Sequence, residues 1–271
     1  MLKTEMRNPN TMHIDKMTSL EMAQAMSREN YRAAEAVEEQ LPVIAQAIDM
    51  VAEAFNNGGR LFFIGCGTSG RLGVLDAVEC PPTFGADLNM VQGIIAGGQK
   101  RMFAASENEE DLDDKGRLDV AERGVCTGDV VVGVSVAGGA AYVVGGLETA
   151  RELGAQTIAL TCNEDSAIGK VSDLTICTDT GAEVITGSTR LKAGTAHKMV
   201  MNMLTTCAMV KTGRVYENMM VNLKPYNIKL RERVINIVCD ICGCGREQAV
   251  ELLNATNWEI RDAAELYRSQ N

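Results

Sequence analysis

The stretch that decides the fold is Leu61-Phe62-Phe63-Ile64-Gly65-Cys66-Gly67-Thr68-Ser69-Gly70-Arg71-Leu72-Gly73. Its apolar first residues predict a buried strand, its glycines and hydroxyls predict a turn, and a helical pattern follows. A strand that turns into a helix in this way presents backbone N–H groups and the positive end of the helix dipole to an anion. The stretch therefore predicts a site for a small phosphorylated or carboxylated ligand.

The turn differs from the P-loop of nucleotide-binding proteins. No P-loop lysine follows its glycines. A glycine-rich turn at a strand end is as often purely structural as it is a ligand site. The hydroxyls beside a cation favour the ligand site here. We therefore predict anion binding by Gly67, Thr68, Ser69 and Arg71.

Beyond Arg60, short β-rich runs alternate with helical stretches, which predicts an α/β fold. The predicted strands are Leu61–Ile64, Met90–Ala96, Val130–Ser135, Thr157–Thr161 and Leu174–Cys177. The predicted helices between and after them are residues 69–79, 117–124, 139–153, 165–170 and 188–212. Because the strands are apolar without polar alternation, they predict a doubly wound, mostly parallel five-stranded sheet with helices on both faces. Ligands bind at the carboxyl ends of such strands, where the first turn, the 135–140 loop and the 186–192 stretch all fall.

Helical segments alone are predicted on either side of this α/β region. Polar residues 1–17 are expected to be irregular and to wrap the surface or a partner subunit. The further predicted helices are residues 18–40, which start with a capping box, 42–56, 227–240, 246–254 and 257–268. We therefore predict two domains, residues 1–225 and a small helical unit at residues 226–271.

Composition argues against several protein classes. The 26 basic and 36 acidic residues give a net charge of −10, which disfavours nucleic-acid and anionic-membrane binding. No window approaches the ~20 apolar residues of a membrane span, and the N-terminal residues lack a signal-peptide layout, which favours the cytoplasm. The nine cysteines lie mostly in apolar contexts, typical of reduced thiols. Their one cluster, Cys239, Cys242 and Cys244, has too few ligands for a structural zinc site, and no metal is predicted.

Two acidic features lie near predicted strand ends. Glu79 ends the first helix of the α/β region, before Cys80-Pro81-Pro82, and an acidic run spans residues 106–111. Each alone is most often a solvated surface. Two separated carboxylates near strand ends are also what a general acid and a general base require. Both interpretations stay open at this point.

The stretch from Glu183 to Lys198 concentrates hydroxyls and cations at a predicted helix start. Any two of these residues would suit an N-capped helix with a basic surface. Their density within about one turn favours a polyoxygenated ligand. We predict ligand contacts from Glu183, Ser188, Thr189 and Lys192. His197, in the same helix, is equally compatible with an active-site donor and with a core histidine.

At these stretches the chain resembles the N-acetylmuramic acid 6-phosphate etherase family, whose members carry a sugar isomerase (SIS) domain. The resembling stretches extend over most of residues 4–225 and are Thr4-Glu-x-Arg7-Asn8-Pro9, residues 67–85, Ile95-Ala-Gly-Gly98 and residues 183–198. The C-terminal helices resemble the ubiquitin-associated-type three-helix unit of that family.

The resemblance implies cleavage of the lactyl ether of N-acetylmuramate 6-phosphate to N-acetylglucosamine 6-phosphate and D-lactate, by a lyase-type route without metal or cofactor. Matched to the family, Glu79 protonates the departing lactate and Glu110 is the other acid–base group. Glu110 is preferred to Glu107 and Glu109 because of the alignment on Ile95–Gly98. The resemblance also implies a homodimer that works in peptidoglycan recycling.

One loop departs from the family pattern. Where the family has Ser-Gly-Arg-Thr-Pro before Tyr142, this chain has Ala137-Gly138-Gly139-Ala140-Ala141. In SIS domains this loop gives hydroxyls to the sugar phosphate, and Ser135 and Gly138 remain as predicted contacts. The loss of two hydrogen bonds to a charged group would cost ~3–6 kcal/mol. That is several orders of magnitude in phosphate affinity.

Three functions therefore stay open. The first is an active etherase, favoured by Glu79, Glu110 and the Glu183–Lys198 stretch. The second is a non-catalytic sugar-phosphate sensor or regulator, as in the related glucokinase regulatory protein, favoured by Ala137, Gly139 and Ala140. The third is a related lyase for an unphosphorylated or differently substituted amino sugar, for which the smaller loop residues would leave room.

Overall fold

The structure is a computed structural model that describes residues 2–104, 108–223, 225 and 227–270. Their contacts divide the chain into two compact units. The described parts of Met1–Ala77 and Asn89–Ala208 form the first unit, and those of Val78–Leu88 and Met209–Asn271 form the second. Tyr226, where the predicted second domain begins, lies outside the described residues, and the division at residue 225 stays a prediction.

In the described part of the first unit, five parallel strands form one sheet, which confirms the predicted α/β fold. The strands are β1 (Leu61–Gly65), β2 (Val91–Ile95), β3 (Val130–Val134), β4 (Gln156–Thr161) and β5 (Leu174–Cys177). Their order is β2-β1-β3-β4-β5, and every neighbouring pair is parallel. Because the order changes direction between β1 and β3, the ligand position expected for a doubly wound sheet lies at the carboxyl ends of these two strands.

Seven helices accompany these strands along the described stretches of the chain. They are α1 (Ser19–Glu38), α2 (Leu41–Asn56), α3 (Gly67–Phe84), α4 (Asp113–Glu122), α5 (Ala141–Glu152), α6 (Ala167–Lys170) and α7 (Lys192–Lys211). The predicted capping box at α1 is present, with Thr18 and Glu21 bonded to each other's backbone. A core between the sheet and two helices contains Phe62 and Ile64 of β1, Val120 of α4 and Leu147 of α5, all fully buried. This packing fixes the strand ends that carry the site.

The N-terminal residues are more ordered than the sequence suggested. Three short 3₁₀ turns, Lys3–Glu5, Pro9–Thr11 and Ile14–Lys16, precede α1. Asn8 and Thr11 are buried and donate to the carbonyls of Ala182 and Val184 at 3.0 and 2.9 Å. Some polar side chains of residues 1–17, which predicted an irregular surface segment, are therefore buried and hydrogen-bonded in the first unit.

Helix α3 extends past the predicted end at residue 79. It continues through Pro81 and Pro82 to Phe84, and the Gly85 N–H donates to the Pro81 carbonyl at 2.9 Å. The fixed proline φ of about −65° is close to the helical value, and the pair removes two N–H donors from the last turn of the helix. Glu79 is therefore inside the helix and not at its end.

Besides the last residues of α3 and α7, the described part of the second unit contains three helices and a short antiparallel hairpin. They are β6 (Val215–Tyr216), β7 (Met219–Met220), α8 (Ile228–Cys242), α9 (Arg246–Ala255) and α10 (Ile260–Gln270). The helix predicted from residue 257 starts at Ile260, because Asn257 and Trp258 have positive φ angles of 52° and 64°. Such angles do not fit a right-handed helix.

Candidate active site

A cavity of about 240 Å³ lies at the carboxyl ends of β1 and β3. Three stretches line it together. They are residues 66–69 after β1, residues 134–137 with Ala140 at the end of β3 and just beyond it, and Thr189 with Gly194 on either side of the start of α7. Glu110 completes the lining. The strand order thus places hydroxyls, backbone amides and one carboxylate around a single opening at the expected end of the sheet.

The glycines of the first turn serve the packing of α3 on β1. A Cβ on Gly70 would lie 2.4 Å from the Gly65 carbonyl oxygen, and one on Gly73 would lie 2.6 Å from the Phe63 Cβ. Only glycine permits so close an approach. Close packing therefore explains the glycines of this turn. The evidence for a ligand site comes from its hydroxyls.

Thr68 and Ser69 face the cavity from the first turn of α3. The first helical hydrogen bond of α3 is from the Gly70 N–H to the Cys66 carbonyl, at 3.2 Å. Within the described residues, neither the hydroxyls nor the N–H groups of Thr68 and Ser69 have a hydrogen-bond partner. These four donors and the helix dipole can therefore bind an anion.

Arg71 points elsewhere. Its guanidinium donates to the carbonyls of Arg101, Met102 and Ala104, at 2.6, 3.1 and 2.9 Å. It does not line the described cavity. The structure thus places Gly67, Thr68 and Ser69 at the cavity, and places Arg71 against the backbone of another loop.

The three candidate glutamates of the acidic run differ in position. Glu110 is exposed to the cavity, whereas Glu109 forms an ion pair with Arg101 at 3.2 Å. Glu107 lies outside the described residues. Burial raises the pKa of the neighbouring Cys66 thiol to about 12, and the Glu110 carboxylate adds to that shift. Cys66 is therefore a neutral wall of the cavity at pH 7, and Glu110 is the cavity's carboxylate.

The loop after β3 contains an internal hydrogen bond between a side chain and the backbone. Ser135 Oγ accepts the Gly138 N–H at 3.1 Å, which leaves the serine O–H free to donate to a ligand. Gly138 has a φ of 78°, and a Cβ there would lie 2.2 Å from the Ser166 Cβ. Ser135 is at the cavity, while Gly138 shapes the loop behind it. Ala137 and Ala140, where the family pattern has hydroxyls, are part of the lining.

Glu183 and the α7 amides form a second internal cap. The fully buried Glu183 carboxylate accepts the N–H groups of Lys192 and Ala193, at 3.3 and 3.0 Å. Burial raises the pKa of this carboxyl, and the two backbone donors oppose the shift. Glu183 therefore stabilises the start of α7, and Thr189 is the predicted residue of this stretch that lines the cavity. Ser188 is half-buried beside Thr189 and outside the lining.

A buried ion pair was missed by the sequence analysis. The Lys192 ammonium bonds to the Glu29 carboxylate, which also accepts from Asn8 and Asn10 at 2.7 and 2.9 Å. Lys192 therefore faces the α1 side of the unit and not the cavity. Asn8 belongs to the stretch at residues 4–9 that resembles the family, but the sequence pattern did not indicate its partner.

His197 is a core residue in this structure. It is fully buried, and its Nε2 lies 3.5 Å from the Cys162 Sγ. Burial lowers the pKa of the imidazole to about 4, so the ring is neutral at pH 7. Of the two interpretations of His197, the structure favours the core histidine.

Glu79 belongs to the second unit, where it is exposed on α3. In the described residues, no three His, Cys, Asp or Glu side chains are grouped to hold a metal ion, and all nine cysteines are free thiols. No helix in those residues has the length and apolar character that a membrane crossing requires.

Comparisons with known proteins agree with this geometry. The sequence profile of the glucokinase regulatory protein N-terminal SIS domain matches residues 43–151, and that of the SIS domain matches residues 122–207. The chain is 48% identical over 260 residues to the N-acetylmuramic acid 6-phosphate etherase of Clostridium beijerinckii, covering 96% of this chain and 86% of that protein. It is 50% identical, with the same coverage, to the N-acetylmuramic acid 6-phosphate etherase of Clostridium botulinum strain Hall. Among solved structures, the phosphoheptose isomerase of Neisseria gonorrhoeae has the same fold, with a TM-score of 0.55 and 22% identity over 70% of this chain and 98% of that one.

Proposed function

The chain belongs to the N-acetylmuramic acid 6-phosphate etherase family, and we propose that it cleaves the D-lactyl ether of N-acetylmuramate 6-phosphate. The products are N-acetylglucosamine 6-phosphate and D-lactate. The observation that carries the proposal is the near-50% identity to etherases over 96% of the chain. The cavity at β1 and β3, which is lined by a carboxylate and several hydroxyls, supports the same activity.

We propose the chemical class of a carbon–oxygen lyase. In the ring-opened sugar the C2 proton is acidic because it is α to the aldehyde. A base removes this proton, the C3–O bond breaks, and lactate leaves with a proton from an acid. Water then adds its oxygen to C3 and a proton returns to C2, so the sum is hydrolysis of the ether. Each acid–base role contributes ~10²–10⁴-fold in rate.

The proposed roles follow the family resemblance. Glu79 is the proton donor to lactate, and Glu110 is the other acid–base group. The position of Glu110 at the cavity supports its assignment over Glu109, which is paired with Arg101. The sugar phosphate is proposed to bind the Gly67–Ser69 turn, Ser135 and Thr189. Arg71, Gly138, Glu183, Ser188 and Lys192 were predicted as direct contacts, and their positions support roles in shaping the site.

The cell biology is proposed on the same resemblance. We propose a cytoplasmic homodimer that acts on amino-sugar phosphates from peptidoglycan and needs no cofactor. The net charge of −10 supports a small-molecule substrate over nucleic acid or anionic membrane. The helical residues 226–271 are proposed to be a separate ubiquitin-associated-type unit.

The test is D-lactate release from N-acetylmuramate 6-phosphate. Wild-type protein should release lactate, and Glu79→Gln and Glu110→Gln should each reduce kcat by ~10²–10⁴-fold. Asp111→Asn, at an exposed neighbour of Glu110, is the control and should stay within about twofold, as is usual for exposed groups without a role. Full activity of Glu79→Gln would refute the donor assignment.

Isotopes test the lyase route separately. In D₂O the product should carry deuterium at C2, and in H₂¹⁸O the label should appear at C3 and not in lactate. Label in lactate would instead indicate attack on its carbon. The regulatory alternative is not favoured, because relatives of near-50% identity are etherases. Release of lactate only from unphosphorylated N-acetylmuramate would instead support a related lyase for an unphosphorylated amino sugar.

A further inference from the structure

Arg71 has the position of a structural brace and not of a phosphate ligand. Its Nε donates to the Met102 carbonyl, and its Nη2 donates to the carbonyls of Arg101 and Ala104. An arginine that binds a phosphate usually presents two parallel N–H groups to it. Here two of the three guanidinium nitrogens are already bonded to neutral backbone oxygens of one short segment, residues 101–104.

That segment is joined to the acidic loop by a second arginine. The Arg101 guanidinium pairs with the Glu109 carboxylate at 3.2 Å. Both side chains lie over Gly97, where a Cβ would come within 2.6 Å of the Arg101 Cγ and 3.1 Å of the Glu109 Cδ. Gly97 has a φ of 78°, so a side chain there is excluded by both strain and space.

The backbone at Glu110 is therefore held on two sides. Its neighbour Glu109 is held by Arg101, whose carbonyl is held by Arg71. On the other side, the Glu110 carbonyl accepts the Tyr142 N–H at the start of α5, at 3.0 Å. Arg71 also lies one residue after Gly70 on α3, close in sequence to Thr68 and Ser69, so one helix turn carries both the anion donors and the brace.

We infer that Arg71 is a positioning residue for Glu110, acting through residues 101–104 and the Arg101–Glu109 pair. Its effect on turnover rests on the proposed function. These contacts connect the β1–α3 turn, which is the proposed anion site, to the loop that carries Glu110. A displacement of about 1 Å in a catalytic group can cost on the order of 10²-fold in rate.

Kinetics distinguish this role from phosphate binding. Arg71→Ala and Arg71→Lys should both lower kcat by ~10–100-fold, because lysine lacks the planar fork that reaches several carbonyls, while KM stays within about threefold. Arg101→Gln, which removes the second link, should lower kcat in the same way. If Arg71 bound the phosphate, Arg71→Ala would raise KM more than about tenfold and Arg71→Lys would recover much of that loss.

Hydrogen exchange tests the brace without turnover. Peptides that cover residues 99–104 and 108–112 should exchange faster in Arg71→Lys and Arg101→Gln than in wild type, and peptides from β3 and β4 should be unchanged. The dissociation constant of N-acetylglucosamine 6-phosphate, measured by calorimetry, should change less than about threefold. Unchanged exchange together with a tenfold weaker product affinity would overturn the inference. Absence of lactate release by wild type would refute the proposed function alone, since the exchange comparison still decides the role of Arg71.

Discussion

Lys192 and Glu29 form an ion pair inside the first unit, with 3% and 9% of their surfaces exposed. Burial alone would raise the pKa of Glu29, but hydrogen bonds from Lys192, Asn10 and Asn8 outweigh it and lower the pKa. Lys192, which the sequence predicted as a phosphate ligand, is therefore paired with the Glu29 carboxylate instead. It ties the start of α7 to α1.

The first prediction concerns this pair. Lys192→Met should reduce the free energy of unfolding by ~3–5 kcal/mol, because it leaves a buried carboxylate without its cation. The double variant Glu29→Gln/Lys192→Met should be more stable than Lys192→Met, since no buried charge then remains. Urea denaturation monitored by circular dichroism gives both values. Unchanged stability with a large loss of phosphate affinity would instead identify Lys192 as a ligand.

The second prediction compares adjacent glycines in the loop after β3. Gly138→Ala should destabilise the protein by ~2–5 kcal/mol, because it combines left-handed strain with a clash against Ser166. Gly139 is exposed, and a methyl group added there would meet no described atom within 4 Å, so Gly139→Ala should stay within ~0.5 kcal/mol. Thermal unfolding of the two variants is the measurement. Equal melting temperatures would contradict the role given to Gly138.

The third prediction concerns the first turn of α3. Ser69→Ala should weaken binding of N-acetylglucosamine 6-phosphate by ~10–100-fold, the value of one hydrogen bond to a charged group. Stability should be unchanged, because the Ser69 hydroxyl has no partner in the described residues. Thr195→Ala is the matched control, since that hydroxyl is exposed and bonded to the Leu191 carbonyl at 3.0 Å. Calorimetry should show no effect for it; if Ser69→Ala also has none, the turn is structural.

The fourth prediction restores the hydroxyls that the family has in the altered loop. Ala137 and Ala140 line the cavity, so Ala137→Ser and Ala140→Thr place new donors beside the proposed phosphate. Each correctly placed donor should tighten binding by about tenfold or more. KM for N-acetylmuramate 6-phosphate is the measurement. An unchanged KM in both variants would mean that the phosphate lies away from this wall.

The fifth prediction is a pH dependence from His197. Burial lowers its pKa to about 4, while an unfolded histidine titrates near pH 6.5. Between these values the unfolded chain binds more protons, so stability rises with pH there and falls by ~3 kcal/mol from pH 6.5 to pH 4. His197→Gln should remove this part of the slope. The exposed His13 provides the control, and a slope that His13→Gln abolished would contradict the assignment.

Elements set by local pattern were predictable, and partnerships between distant residues were not. The five strands were placed within two residues because each is an uninterrupted apolar run between turn signals. The end of α3 was misplaced because a proline pair usually ends a helix. Thr68, Ser69, Ser135 and Thr189 line one cavity. The sequence could indicate their proximity because loops at the carboxyl ends of parallel strands meet at one edge of the sheet. Their role as ligands stays a prediction.

The hydrogen-bond partners of the cationic side chains could not be predicted in this way. Lys192 pairs with a residue 163 positions earlier, and Arg71 bonds carbonyls about 30 positions later. Their residue type suits a phosphate equally well, and only the tertiary structure determines which oxygen each one reaches. The charge of each side chain was predictable from the sequence, whereas the group that it pairs with is determined by the fold.

The Glu183 cap has a consequence for how a substrate is oriented. Because Glu183 already serves as the counter-ion of α7, and the Tyr142 N–H at the start of α5 is taken by the Glu110 carbonyl, two helix ends near the cavity are electrostatically quenched. Within the described residues, the α3 end at Thr68 and Ser69 keeps its unpaired amides. We therefore expect the anionic end of a bound ligand to lie beside Thr68 and Ser69. Glu183 is thus expected to influence the direction of a bound sugar phosphate, in addition to holding the start of α7 in place.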